Sequence, residues 1–267
     1  MNLTTRIAIQ HLRSHHSFGF ISFSTILSIL GLTIGVSSLI IISCISRGFS
    51  DLVNLKLSGI DGHIRIRSYI SDKIPLNKIT EIDSYLNKFS DNINATSPYI
   101  EKHAIVRYES MAEGIIIYGV PSIALKDIFQ LQHFSSGNNE FENERSIIIG
   151  KKLAELFNVK LGDNIMIMNV EKIAQEQILQ AKYFTVINTF QTDFPEYDRL
   201  LAFVPFQTAG NFFDMDNSAS GLIINVVDPE YVELTDRKIL DNIELQPYIT
   251  TTWKERHRGL LKWLTLK

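Results

Sequence analysis

Residues 18–46 read FGFISFSTILSILGLTIGVSSLIIISCIS, a run of 29 without one Asp, Glu, Lys or Arg. As an α-helix this run spans about 43 Å at about 1.5 Å per residue, more than the roughly 30 Å of a bilayer's hydrocarbon core. Its length and lack of charge mark a transmembrane helix, the surplus being taken up by tilt or by an end in water. A cleaved signal peptide is the first competing reading, but its apolar region is only about 7–15 residues long. A lipoprotein cleavage site at Ile41-Ile42-Ser43-Cys44 is the second. The long run before Cys44 and the apolar Ile45 after it argue against cleavage, and Cys44 reads as a small apolar residue inside the helix.

The flanks orient the span. Residues 1–17 carry Arg6, Arg13, His11, His15 and His16 and no acid, whereas Arg47, Asp51 and Lys56 beyond it are of mixed sign. The positive-inside rule puts 1–17 in the cytoplasm and everything after Ser46 outside, which in a bacterial inner membrane is the periplasm. Within the span, Ser24, Ser28, Gly31, Gly35 and Ser38 recur at spacings that place them on one helix face. A seam of small residues lets another helix approach closely, so these five are the candidate helix-packing positions.

Residues 47–253 form the extracytoplasmic bulk. Gly62–Arg67 alternates as a half-buried strand, with Ile64 and Ile66 on one side and Arg65 and Arg67 on the other. Short apolar runs at 114–118, 147–149, 165–168, 183–187, 200–204 and 222–227 read as further strands. Asn77 is placed to cap a helix with apolar Ile79, Ile82, Leu86 and Phe89. Lys151–Phe157 is a second helix, and Asp228-Pro229 opens a third. The order strand–helix–strand near 62–100, a strand-rich middle, and strand–helix–strand near 219–252 predicts an α+β fold. The two end units share one sheet, and 112–212 is an inserted β-rich lobe.

Composition and motifs exclude several chemistries. Lys and Arg number 26 against 29 Asp and Glu, for a net charge of −3, which is not the balance of a nucleic-acid binder. The single cysteine rules out an intrachain disulfide. Gly150-Lys151-Lys152 lacks the frame of a phosphate-binding loop, and the dispersed histidines form no metal-ligand pattern. Asp61-Gly62-His63 reads as a turn into a strand, and Glu196 and Asp198 as a surface turn. No catalytic, cofactor or metal site is expected. The final segment, 254–267, interleaves Lys254, Arg256, Arg258, Lys262 and Lys267 with leucines and Trp263, just after Trp253. A basic, Trp-bearing amphipathic stretch suits a membrane interface, with Trp253, Arg256, Arg258 and Trp263 as its contacts.

Taken in order, these pieces resemble the permease subunits of lipoprotein-releasing ABC transporters, the LolC/LolE family, whose periplasmic domain is related to that of MacB. Arg6-Ile7-Ala8 and Leu12-Arg13-Ser14 match the N-terminal stretch. Gly19–Ser22, Ser28–Gly31 and Gly35-Val36 match the first span, and Gly48-Phe49 its exit. Gly62-His63-Ile64 matches the first periplasmic strand. Ile148–Ala154 with Val159–Asp163 is the most specific piece, and Phe184-Thr185-Val186, Glu196-Tyr197-Asp198 and Trp253 continue the register.

The resemblance implies a MacB-like periplasmic domain of two subdomains, one discontinuous and carrying βαβ units at both ends. It implies a second permease subunit, a cytoplasmic ATPase partner that holds the ATP, a lipoprotein cargo and a periplasmic lipoprotein chaperone. It also aligns Asn169–Lys182, here free of proline and rich in Gln and Glu, with a chaperone-hooking hairpin. Glu171, Gln175, Glu176 and Gln177 are its candidate chaperone-facing residues. Relatives run to about four spans, so the chain reads as truncated after the periplasmic domain. A single-pass anchored binding or signalling domain without transport activity is the alternative.

Overall fold

The computed structural model describes residue 7 and residues 19–89, 92–129, 131, 140–174, 180–192, 194–242 and 247–259. The chain divides into two compact units, Met1–Val53 and Asn54–Lys267. The first is dominated by helix α1, Gly19–Asp61, whose final residues belong to the second unit. Phe23–Gly48 within α1 is long and apolar enough to cross a membrane, and none of its most apolar window is buried. The helix continues well past Ser46, through Gly48 and Gly59, and ends only at Gly62. There φ is +67°, the left-handed conformation that closes helices. A Cβ on Gly62 would stand 2.2 Å from Ile223 Cγ2, so both conformation and space require glycine.

The second unit is built on β1 (Ile64–Ser68), β3 (Ile93–Tyr108), β10 (Gly221–Val226) and β11 (Tyr248–Thr252), in sheet order β11-β1-β10-β3. Two very short strands, β2 (Ile74–Pro75) and β9 (Ser218–Ala219), pair with each other in a separate ribbon. Within the main sheet these neighbours are all antiparallel, so β1 runs parallel to β3 and β10 to β11. Helix α2 (Leu76–Phe89) connects the first parallel pair, and a 3-10 turn followed by a longer helix (Val232–Asn242) connects the second. Two split β–α–β units thus interleave in the ferredoxin-like manner. Register puts Ile64, Ile66, Leu222 and Ile224 on one face, all fully or nearly fully buried. α2 begins at Leu76, one residue before Asn77, and buries Ile79, Ile82 and Leu86 at helical spacing.

The remaining strands close a barrel. β4 (Met111–Val120), β5 (Ser146–Gly150), β6 (Asn164–Asn169), β7 (Ala181–Phe190) and β8 (Leu201–Pro205) extend the sheet as β3-β4-β8-β5-β7-β6, and β6 pairs back onto β3. The barrel's inward residues, among them Val106, Ile117, Ile149, Ile167, Val186 and Val204, form one apolar core. Strand β3 serves both lobes: Ile93–Tyr99 pairs with β10, and Ile100–Tyr108 with β4. The barrel therefore begins inside β3 rather than at 112, a position that lies in the β3–β4 hairpin.

Between the lobes lies a second core. It joins Tyr99 and Ile223 of the sheet to Tyr118, Ile148, Phe190 and Phe203 on the barrel's outer wall, with Leu125, Ile128 and Phe129 beside them. The Glu196–Asp198 stretch is not a surface turn. It lies in a short helix, Pro195–Leu200, where Asp198 is 2% exposed and accepts hydrogen bonds from the backbone N and Oγ1 of Thr192, each at 2.7 Å. A Cβ at Gly150 would meet the Asp198 carbonyl oxygen at 2.0 Å. Two stretches that carry the resemblance, Ile148–Ala154 and Glu196-Tyr197-Asp198, thus pack backbone to backbone.

Candidate functional site: an ionic hub where the chain enters and leaves the domain

Only two residues separate α1 from β1, and the strand beside β1 is the one by which the chain leaves, Ile64 standing opposite Thr252. Entry and exit are therefore adjacent, and Asp61, the last residue of α1, lies between them. Its Oδ1 accepts from Arg65 Nη2 at 2.5 Å. Its Oδ2 accepts from Arg256 Nε at 3.0 Å and lies 2.9 Å from His257 Nε2. Arg256 Nη2 also donates to the carbonyls of Asp61 and Gly62 at 2.8 and 2.9 Å, capping the end of the helix with a cation.

Arg65 extends the hub into both lobes. It is 3% exposed, pairs with Glu101 on β3 and donates to Tyr118 Oη on β4 at 3.0 Å. Tyr118 in turn donates to Glu101 at 2.8 Å, and the guanidinium sits over the Tyr99 and Tyr118 rings. Two guanidiniums thus face two carboxylates, which offsets the desolvation that a lone buried charge would suffer. Burial alone would raise the Asp61 carboxyl, but Arg65, the His257 hydrogen bond and Arg256 outweigh it and hold it well below the usual carboxylate range. Arg256 is itself lowered, by burial and by the neighbouring Arg65 cation. Burial and the nearby Asp61 push the Tyr197 hydroxyl up to about 12, and its ring meets His257 edge-on at 6.4 Å.

This arrangement holds no nucleophile paired with a base. Among the described residues, no group of three or more His, Cys, Asp or Glu side chains is placed to hold a metal ion. What the hub does is mechanical: it fixes the end of α1 to the sheet, to the barrel and to the departing chain.

The residues singled out from sequence fall elsewhere or change role. Ser24, Ser28, Gly31, Gly35 and Ser38 all lie exposed along α1. Ser28 Oγ donates to the Ser24 carbonyl at 2.8 Å, and among the described residues nothing approaches within 4 Å of a Cβ built on Gly31 or Gly35. Glu171 sits on a short helix, Val170–Ala174, after β6, and its Oε1 accepts from Lys102 Nζ at 2.8 Å. Lys102, on the shared strand β3 and 5% exposed, also donates to Asp72 Oδ2 at 2.5 Å, so it ties the barrel to the loop after β1. Gln175, Glu176 and Gln177 lie outside the described residues, as does Trp263.

Trp253 and Arg256 are not interfacial. Trp253 is 2% exposed and its backbone N donates to the His63 carbonyl at 2.9 Å, because the helix after β11 starts without a linker and carries the ring into the core. Thr252 and Glu255 form a capping box at that start. Arg256 belongs to the hub, while Arg258 is exposed. Sequence reading missed Asp61, Arg65, Glu101, Tyr118 and His257 as a group. The available signal was Asp61-Gly62 at the foot of a long helix, followed by an arginine on the polar side of the first strand.

Comparison with known proteins agrees with this architecture. The family model of the MacB-like periplasmic core domain matches residues 25–241. The lipoprotein-releasing system transmembrane protein LolC of Neisseria meningitidis serogroup B is 25% identical over 275 residues, covering 100% of this chain and 64% of that protein. LolE of Haemophilus influenzae is 22% identical, covering 93% of this chain and 61% of its own length. This chain therefore spans somewhat less than two thirds of these relatives. The periplasmic region of MacB from Actinobacillus actinomycetemcomitans superposes with a TM-score of 0.50 at 11% identity, covering 77% of this chain and 95% of that one, a likeness of fold alone. With its apolar helix, its interleaved sheet and its inserted barrel, the chain belongs to the MacB-like periplasmic core domain family and is of the LolC/LolE type.

Proposed function

We propose that the chain is a membrane permease component of an ABC transporter of the lipoprotein-releasing type. It sits in the inner membrane through Phe23–Gly48, with residues 1–17 cytoplasmic and the sheet and barrel in the periplasm. It carries no cofactor and performs no covalent chemistry. ATP is bound and hydrolysed on a cytoplasmic partner subunit, a second permease supplies the opposing wall, and a lipoprotein is the cargo. The stretch Asn169–Lys182, through Glu171, Gln175, Glu176 and Gln177, is the part offered to a periplasmic chaperone. The observation that carries this reading is the match to a lipoprotein-releasing LolC along the whole length of the chain. In support, Phe23–Gly48 of α1 is long and apolar enough to cross a membrane.

Affinity purification of the tagged chain from native membranes tests the proposal. Recovery of a P-loop ATPase together with a second permease is the expected result. Recovery of the chain alone, folded and membrane-bound, would overturn it in favour of an anchored periplasmic module.

A further inference from the structure

Asp61 divides its two carboxylate oxygens between two different tasks. Oδ1 faces Arg65, which belongs to the sheet, whereas Oδ2 faces Arg256 and His257, which belong to the departing chain. Besides these contacts the departing chain is held by the Tyr197 ring edge-on to His257 and by local hydrogen bonds from Arg256 Nη1 to the Thr251 carbonyl and from His257 N to the Trp253 carbonyl. Its helix, Trp253–Arg256, is four residues long and far too short to support itself. Lys254 reaches Glu233 only through an exposed pair at 3.2 Å, a contact of small worth. Trp253 is anchored in the core, but Arg258 and Gly259 are exposed. Past Trp253, the polar contacts that tie the chain to the end of α1 are those that Arg256 and His257 make with Asp61 and with the carbonyls of Asp61 and Gly62.

We propose that Asp61 is a positioning residue that clasps the departing segment 254–259 to the end of α1, and that this clasp opens as a local unit while the sheet and barrel stay folded. Arg65 remains paired with Glu101 and Tyr118 when Oδ2 is vacated, so opening leaves no unpartnered charge on the sheet side. Arg256 passes into solvent instead, where its charge is hydrated, and the His257 ring is released with it. The segment that leaves the domain is thereby held beside the helix that enters it, or released from it, by one carboxylate. The proposal rests on the geometry of the folded unit and is independent of any transported substrate.

Hydrogen–deuterium exchange on the full chain in detergent micelles tests it, comparing wild type with Asp61→Asn and Arg256→Lys. Lysine keeps the charge but cannot reach the carboxylate and two carbonyls together. In both variants, exchange across residues 254–259 should rise by about tenfold, the scale of losing charge-assisted hydrogen bonds, while exchange in β5 and β7 stays at the wild-type rate. Cleavage by trypsin after Arg258, and after Arg256 in Asp61→Asn, should accelerate in parallel. Unchanged protection of 254–259 in both variants would overturn the proposal. So would a matching rise of exchange in β5 and β7, which would make Asp61 an ordinary fold-holding group.

Discussion

His63 should make the folded unit acid-sensitive in a window set by its burial. The ring is 3% exposed, and its Nδ1 accepts from Val226 N at 2.9 Å, which places the ring proton on Nε2. Burial first, and then the Arg256 cation, lower its pKa from 6.5 to about 4. The folded chain therefore keeps the ring neutral where the unfolded chain protonates it. This stabilisation is complete above pH 6.5, drains as the pH falls from 6.5 through about 4, and is fully lost below that. Each tenfold difference in proton affinity between the folded and unfolded chain is worth about 1.36 kcal/mol. The whole loss is then about 3 kcal/mol, of which about 2 kcal/mol is gone by about pH 5. Asparagine at this position offers an acceptor close to that of Nδ1 and does not titrate. Urea unfolding of the full chain in detergent, followed by tryptophan fluorescence, reads the difference at about pH 7.5 and about pH 5. Wild type should lose about 2 kcal/mol more than His63→Asn between those two conditions. Equal losses in the two proteins would refute the reasoning.

The glycine positions separate conformation from space. Gly62→Ala meets both a left-handed φ and a 2.2 Å contact, and should cost about 2–4 kcal/mol in chemical denaturation. Gly162→Ala has φ +92° but open space around it, and should cost only about 1–2 kcal/mol. Lys102→Met removes a buried ammonium but leaves two exposed carboxylates behind. Its stability should stay within about 1 kcal/mol of wild type, while exchange across 170–174 quickens because Glu171 has lost its tether. In membranes, Gly31→Leu and Gly35→Leu should lower recovery of partner subunits in co-purification, since a larger side chain on the small-residue face blocks close approach of another helix. Undiminished recovery in both variants would count against that face as a helix contact.

The elements that were plain in the sequence are those with local signals. The absence of charge marked α1, although its end is set by Gly62 and not by the return of charge at Arg47. Lys151–Phe157 was marked by the strand at Ile147 before it and the turn at Leu161-Gly162-Asp163 after it, and in the structure it ends at Asn158, which adopts the left-handed conformation at φ 53°. The alternation of β1 was correct for Ile64 and Ile66, but the strand is more than half-buried, because the barrel covers the side that carries Arg65. The length of β3 went unseen for a similarly physical reason. Its hairpin turns through Glu109 at φ 53°, where the usual Gly or Asn signal is missing. Barrel closure and the ionic hub join residues far apart in the chain, Asp61 to Arg256 and β3 to β6, and carry no periodicity for a sequence to display. Trp253 and Arg256 were misplaced because an interfacial stretch and a buried exit segment share the same interleaving of rings and cations.

The shared strand β3 imposes an order on synthesis. Every strand of the barrel lies between Ile100 and Pro205, and Ala209, Phe212 and Met215 just beyond complete its core, so that lobe can close once Met215 has emerged. β1 is made earlier, yet both its neighbours, β10 and β11, come after the whole barrel. At about 5–20 residues per second, its apolar face and both its edges wait roughly 10–30 s. Until then the newly made strand exposes Ile64 and Ile66, which burial in the finished sheet later hides completely. A barrel still open when β10 and β11 emerge would prolong that exposure, so lesions such as bulky residues at Gly119, where Ala209 leaves no room, should lower yield through aggregation of a strand they never touch.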